Sequence, residues 1–238
     1  MLEDSRRRVV EQTDDDALVL DVGGGALPFP CADWVLDLLP TSVAACWAGT
    51  VDPAAVRFGP RQWVKRDVCA RDPWPFQDHQ FDFVVCSHLL EGVRDPVWVC
   101  SEPSRVARAG YVEVPSRLVE LTWGIQGPWV GWGHHHWLVD SSPRGLEFVF
   151  KHHVVHRPGS HLPLGFIGTL DDEHRVQLLW WEDTLPAHER ILVEAHELDG
   201  YLEGLVGPEL AARGRPAGRL SRTVGALRRR TRSEERAG

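Results

Sequence analysis

Several features are missing from the 238-residue chain, and each absence narrows what it can be. The opening segment, MLEDSRRRVVEQTDDD, lacks the apolar stretch of a secretory signal. No run is apolar enough to span a bilayer: the longest stretch free of acid and base, Leu121 to Val139, is broken by glycines, a proline and three histidines. The five cysteines (Cys31, Cys46, Cys69, Cys86, Cys100) are odd in number, lie in apolar segments and show no CxxC spacing, so no disulfide framework is implied. These absences predict a cytoplasmic protein with buried thiols. At this length, with 43% hydrophobic residues, one α/β domain with appendages is expected.

Charge is divided along the chain. Residues 213–238 hold nine arginines against two glutamates, a net of +7, which leaves −15 of the total −8 on residues 1–212. The basic segment has few large apolar residues and reads as a flexible tail over 207–238, while an acidic body argues against a nucleic-acid substrate. An N-terminal helix or arm is expected over 1–14 and the main domain over 15–206.

Within that domain, apolar runs at Ala17–Val22, Trp34–Leu38, Gln62–Val68 and Phe81–Cys86 read as buried strands, followed by a helix at Pro96–Ala107 with Gly110 as its stop signal, and a fifth strand at Tyr111–Val114. This pattern predicts an open, mostly parallel, Rossmann-like sheet, with ligand chemistry outside the carboxyl ends of its strands. The first run ends in Asp21 and Gly23-Gly24-Gly25, the second carries Asp37, the third ends in Asp67 and Val68, and the fourth in Cys86-Ser87-His88. Glycines permit close backbone approach, and an acid ending the second strand can accept hydrogen bonds from ribose, a combination that selects a nucleoside. The first crossover is unusual, because Pro28 and Pro30 push Leu27 and Phe29 out of the helical region and shorten the connection below that of a helical crossover. Either a nest of loop amides from Gly23 to Ala26 stands in for the missing helix terminus, or affinity for the ligand is weak or lost.

The order DVGGG, an acid 16 residues on, then RDVCARDPWPFQDHQFDFVVCSHLLEGVRDP and SRVARAGYVEVPS resembles the class I S-adenosylmethionine-dependent methyltransferases. More narrowly, it is similar to a bacterial group with SH.LE.V.DP and GY.E.PS motifs, in which the turn reads LEHV where this chain has LEGV with Gly92. The resemblance runs from about Leu18 to Ser116. It implies S-adenosylmethionine as cofactor, with Asp21 and Gly24 among the cofactor-binding residues, Gly23 and Gly25 approaching its methionine part, Asp37 on the ribose, Asp67 and Val68 framing the adenine, and Ser87 and His88 on the pocket floor. Glu91 reads as a helix first-turn acid.

Trp123 to His161 holds seven of the 12 histidines and four of the 11 tryptophans. His136–Val139, a polar turn over 140–145 and Leu146–Phe150 read as a hairpin extending beyond the fifth strand, within a substrate-side extension over 117–206. Arg175–Trp181 reads as a further strand and Leu185–Leu205 as partly helical. Period-two spacing puts His134 and His136 on one face and His135 on the other. His88 and His136 are the candidate bases, tryptophans would wall a small, sugar-like acceptor, and no metal site is assigned. Methyl transfer to oxygen or nitrogen of that acceptor is the expected reaction. Two alternatives stand beside it: another, metal-assisted chemistry through the His134–His161 region, or a scaffold that partners another chain without catalysis.

Overall fold

A computed structural model describes residues 1–42 and 56–214. Helix α1 (Glu3–Gln12) precedes strands β1 (Val19–Val22), β2 (Trp34–Asp37), β3 (Trp63–Lys65) and β4 (Phe81–Ser87), and helix α2 (Pro96–Val106) leads directly into β5 (Ala107–Pro115). A short helix α3 (Arg117–Glu120), the hairpin β6 (Trp137–Ser142) and β7 (Gly145–Phe150), then β8 (Val176–Glu182), β9 (Ala187–Glu189) and α4 (Ala195–Gly214) follow. The main sheet has the order β3-β2-β1-β4-β5-β8, parallel except for β8, which runs antiparallel to β5. This is a Rossmann-like α/β fold. All four residues of β1 are buried, as a central parallel strand covered on both faces requires.

The two covers differ. Against one face lie Val99, Cys100 and Val106 of α2, packed with Leu20, Val22, Phe81 and Val84. Against the other, Val9 of α1 joins Val19, Phe29, Ala32, Val85 and Tyr111. Phe29 and Ala32 belong to the first crossover, which contains no helix; α1 therefore supplies the cover that the proline-bearing connection cannot.

The elements differ from the sequence reading in several places; the third strand, for one, ends at Lys65 and leaves Asp67 and Val68 beyond it. The helix stops at Val106, and Gly110 lies inside β5, not at a helix end. A Cβ on Gly110 would stand 2.6 Å from the Trp181 ring of β8 and from the Val84 carbonyl oxygen, so glycine is needed for the indole to cross the strand. The expected hairpin forms but leaves the main sheet, building a second sheet of order β6-β7-β9. Finally, α4 runs through residue 207 to Gly214, so the expected tail begins as helix; its part from 215 to 238, like Cys46, lies outside the described residues. Among the described residues no helix is long and apolar enough to cross a membrane.

Candidate functional site

The loop after β1 is held by two carboxylates. Asp21 of β1 accepts the Phe29 amide at 2.7 Å, and Asp37 of β2 accepts the amides of Gly25 at 2.7 Å and Leu39 at 2.6 Å. Parallel pairing sets Asp21 beside Val35, so both acids stand at the same end of adjacent strands. Burial pushes the Asp21 carboxyl up to about 7; the Phe29 amide opposes this and the Asp37 charge reinforces it. Glycine is required at Gly24, where a Cβ would lie 2.5 Å from Asp21 Oδ2 and 2.7 Å from Pro28. The Gly23 amide donates to Leu36 and the Leu27 amide to Gly24, leaving the Gly24 and Ala26 amides without a partner among the described residues.

Above this loop lies a cavity of about 580 Å³, within the range of small-molecule sites. Asp21, Gly23 to Pro30, Val85, Ser87 and His88 line it, together with Met1 and Arg6 from the N-terminal segment. The Arg6 guanidinium makes no ion pair or hydrogen bond among the described residues. His88, at the tip of β4, is clamped between two buried carboxylates. Its Nε2 lies 3.1 Å from Glu113 and its Nδ1 lies 3.7 Å from Glu91, each acid only 1% exposed. Loss of solvation disfavours the imidazolium, but the close contact with Glu113 and the negative charges of Glu113 and Glu91 outweigh it and raise the His88 pKa to about 9. A histidine held protonated at neutral pH has no lone pair with which to take a proton, which counts against His88 as general base.

Glu113 of β5 gathers further donors: the Tyr111 hydroxyl at 2.5 Å, the Leu2 amide at 2.8 Å and the Ser87 hydroxyl at 3.4 Å. Burial works against its charge, but His88, Tyr111 and the Leu2 amide bring its pKa down to about 2.

A second cavity, of about 850 Å³, lies among Trp129, Trp132, His134, His135, His136, Phe150, Lys151 and His156, and shares no lining residue with the first. It is organised around Glu120 of α3, which is fully buried and accepts from Lys151 at 2.7 Å, with His135 Nδ1 also 2.7 Å away. Lys151 also donates to the Trp132 carbonyl at 2.9 Å and the Val130 carbonyl at 3.4 Å. Gly131 is tightly placed, its missing Cβ falling 2.5 Å from the Glu120 carbonyl. His135 Nε2 lies 3.9 Å from the same Glu91 oxygen that His88 faces at 3.7 Å, so the two cavities approach each other across one carboxylate. Both Glu91 oxygens are buried without a hydrogen-bond partner. Glu91 occupies a turn ahead of α2, not the helix itself, where its carbonyl accepts the His136 amide at 2.7 Å.

The structure thus brings Asp21, Gly23, Gly24, Gly25, Ser87 and His88 to one cavity and puts His136 in the other. It does not bring Asp37, Asp67 or Val68 to either. Asp37 is 5% exposed with its oxygens on the loop, Val68 is in the core, and Asp67 accepts from Arg94 at 2.7 Å and from the Cys69 amide at 2.9 Å. The Arg94 bond holds the Asp67 carboxyl below its usual range. Sequence reasoning passed over Glu113, Glu120, Arg6 and Lys151. The available signal was an acid inside an apolar run, YVEVP and LVELTW, which cannot be buried without partners. Among the described residues, no group of three or more metal-ligating side chains is arranged to hold an ion.

Residues 20–112 match the methyltransferase domain family. The matched span runs from β1 into β5 and includes the clamped loop, His88 and Glu91. Comparison with curated proteins finds no match. Among solved structures the chain is similar to the YcgJ protein from Bacillus subtilis, with 20% identity over 48% of this chain and 52% of that one and a TM-score of 0.36. It is also similar to an S-adenosylmethionine-dependent methyltransferase from Aquifex aeolicus (17% identity, 47% and 64% covered, TM-score 0.36). A third is an S-adenosylmethionine-dependent methyltransferase from Mesorhizobium loti (14% identity, 50% and 56% covered, TM-score 0.36). The chain spans less than two thirds of each of these structures, between 52% and 64%. The fold assignment rests on the strand order and on the matched domain.

Proposed function

We propose that the protein is an S-adenosylmethionine-dependent methyltransferase acting on oxygen or nitrogen of a small, sugar-like acceptor. The observation that carries this reading is the first cavity, built on the matched domain from a glycine loop that two strand-end carboxylates hold open. Its residues suit the cofactor's amino-acid end. Gly24 leaves room where any Cβ would collide with Asp21, the free Gly24 and Ala26 amides point to an anion nest, and the unpaired Arg6 offers a guanidinium to a carboxylate. When bound, S-adenosylmethionine supplies a methyl group on a sulfonium, which an acceptor lone pair displaces.

The chain's own residues position that acceptor and remove its proton. His88, cationic between Glu113 and Glu91, adds positive charge to the cavity and does not act as base. Two groups can take the proton: His136, whose exposed imidazole lines the second cavity, and Glu91, which is buried between His88 and His135 and whose oxygens have no hydrogen-bond partner among the described residues. Activity of Glu91→Gln and His136→Asn, measured separately with the same acceptor, assigns the step.

Calorimetry of the full chain with S-adenosylhomocysteine tests the reading. Micromolar binding is expected, together with a preference over 5′-methylthioadenosine, which lacks the amino-acid end, and Arg6→Gln should erase that preference. A scaffold without a cofactor site would give no heat with either compound, and that result overturns the proposal.

A further inference from the structure

The second cavity shows a ligand no free ion. Lys151, its one lysine or arginine, is spent on Glu120 and two carbonyls, and Glu120 is spent on Lys151 and His135. His134 and His156 are both pushed below the usual histidine range, chiefly by partial loss of solvation, with His135 adding to the first and Lys151 to the second. Near neutral pH they present uncharged imidazoles. An anion finds no unpaired lysine or arginine there, and a cation finds no unpaired carboxylate among the lining residues.

What remains on offer is aromatic and neutral polar. Trp129 stands edge-on to His156 at 5.6 Å and Trp132 edge-on to His134 at 6.2 Å. Trp129 keeps 51% of its surface exposed, which costs hydrophobic free energy unless something covers it. The Val130 amide donates to His156 Nδ1 at 3.3 Å, so the neutral ring carries its hydrogen on Nε2 and presents a donor. The His134 ring nitrogens have no partner among the described residues. A wholly apolar ligand would strip water from these imidazoles and return no hydrogen bond. The class that fits has an apolar face and a rim of hydroxyls, with no charge.

We infer that the Trp129–His134–His156 cavity binds an uncharged sugar ring, its carbon face on an indole and its hydroxyls on the imidazoles. This deepens the methyl-transfer reading by giving the acceptor a seat in the cavity that His136 lines, and it rests on that reading only for the reaction. The binding can be tested without the cofactor.

Saturation-transfer NMR and tryptophan-fluorescence titration of the full chain would use the methyl glycosides of glucose, galactose and rhamnose as probes. Glucose 6-phosphate, glucosamine and indole serve as the anionic, cationic and apolar counterparts. Millimolar binding of at least one methyl glycoside is expected, weakened on the order of tenfold in Trp129→Ala and in His134→Ala. Both side chains are exposed, so the thermal midpoints of the variants should stay near the parent value. Three results overturn the inference: no transfer from any of the three glycosides, tighter binding of a charged or apolar counterpart, or parent affinity in both variants. S-adenosylhomocysteine binding is a separate readout. A protein that takes a glycoside and not the nucleoside keeps its sugar site and loses the methyl-transfer reading; the converse result sinks only the sugar site.

Discussion

Asp21→Asn isolates the cost of a buried acid beneath the glycine loop. Asparagine keeps an oxygen to accept the Phe29 amide and the approximate volume, and removes the ionisation. In the native protein burial raises the carboxyl from 3.8 to about 7, whereas the unfolded chain restores the ordinary value. Between those values the folded state binds more protons than the unfolded one, so this group lowers stability as pH rises from about 4 and reaches its full cost above about 7. At roughly 1.4 kcal/mol per unit, the full cost is about 4 kcal/mol. Urea denaturation of parent and variant in parallel, from acid to mildly alkaline pH, gives the difference curve in which most other titrations cancel. The variant should gain on the parent by several kcal/mol across that window and then level off. A flat difference, or one that falls with pH, would refute the claim that desolvation dominates at Asp21.

Three further outcomes follow from the same contacts. In an NMR titration, the His88 imidazole should remain protonated until about pH 9, and Glu113→Gln should bring its midpoint down toward the ordinary histidine range. Since that pKa is raised on folding, the stabilisation from the clamp is complete below about pH 6.5 and is lost as pH climbs through about 9, visible as a falling thermal midpoint. Glu120→Gln strands Lys151, which is 6% exposed, beside a neutral amide, and should cost about 3–5 kcal/mol in denaturant unfolding. Gly110→Ala forces the Trp181 indole off β5 and should cost about 1–3 kcal/mol, with a matching change in tryptophan fluorescence.

The strands were legible because a parallel sheet covered on both faces needs apolar runs, and β1 (VLDV), β2 (WVLD) and β4 (FDFVVCS) are mainly apolar with one acid each. The helix-less crossover was equally plain, since two prolines within three residues settle the backbone whatever surrounds them. Gly110 was misread because a glycine after a helix looks like a stop signal, and its true constraint, an indole from residue 181, lies far along the chain. The site was half legible for the same reason. Spacing puts Asp21, the glycines and His88 at strand ends, but the state of His88 depends on Glu113 of the next strand and on Glu91 of the turn, and no local spacing pairs either acid with His88. Asp37 and Asp67 show the reverse case: an acid at the end of β2 and another two residues past β3, with oxygens already taken by nearby amides and, at Asp67, by Arg94.

The cover over the first crossover comes from a helix that precedes β1, not from the crossover itself. The docking of α1 and the shape of the glycine loop are therefore one event. A lesion at Val9, which does not line the cavity, would loosen Phe29, release the amide that Asp21 holds, and register in a binding assay as though the glycine loop itself had been cut.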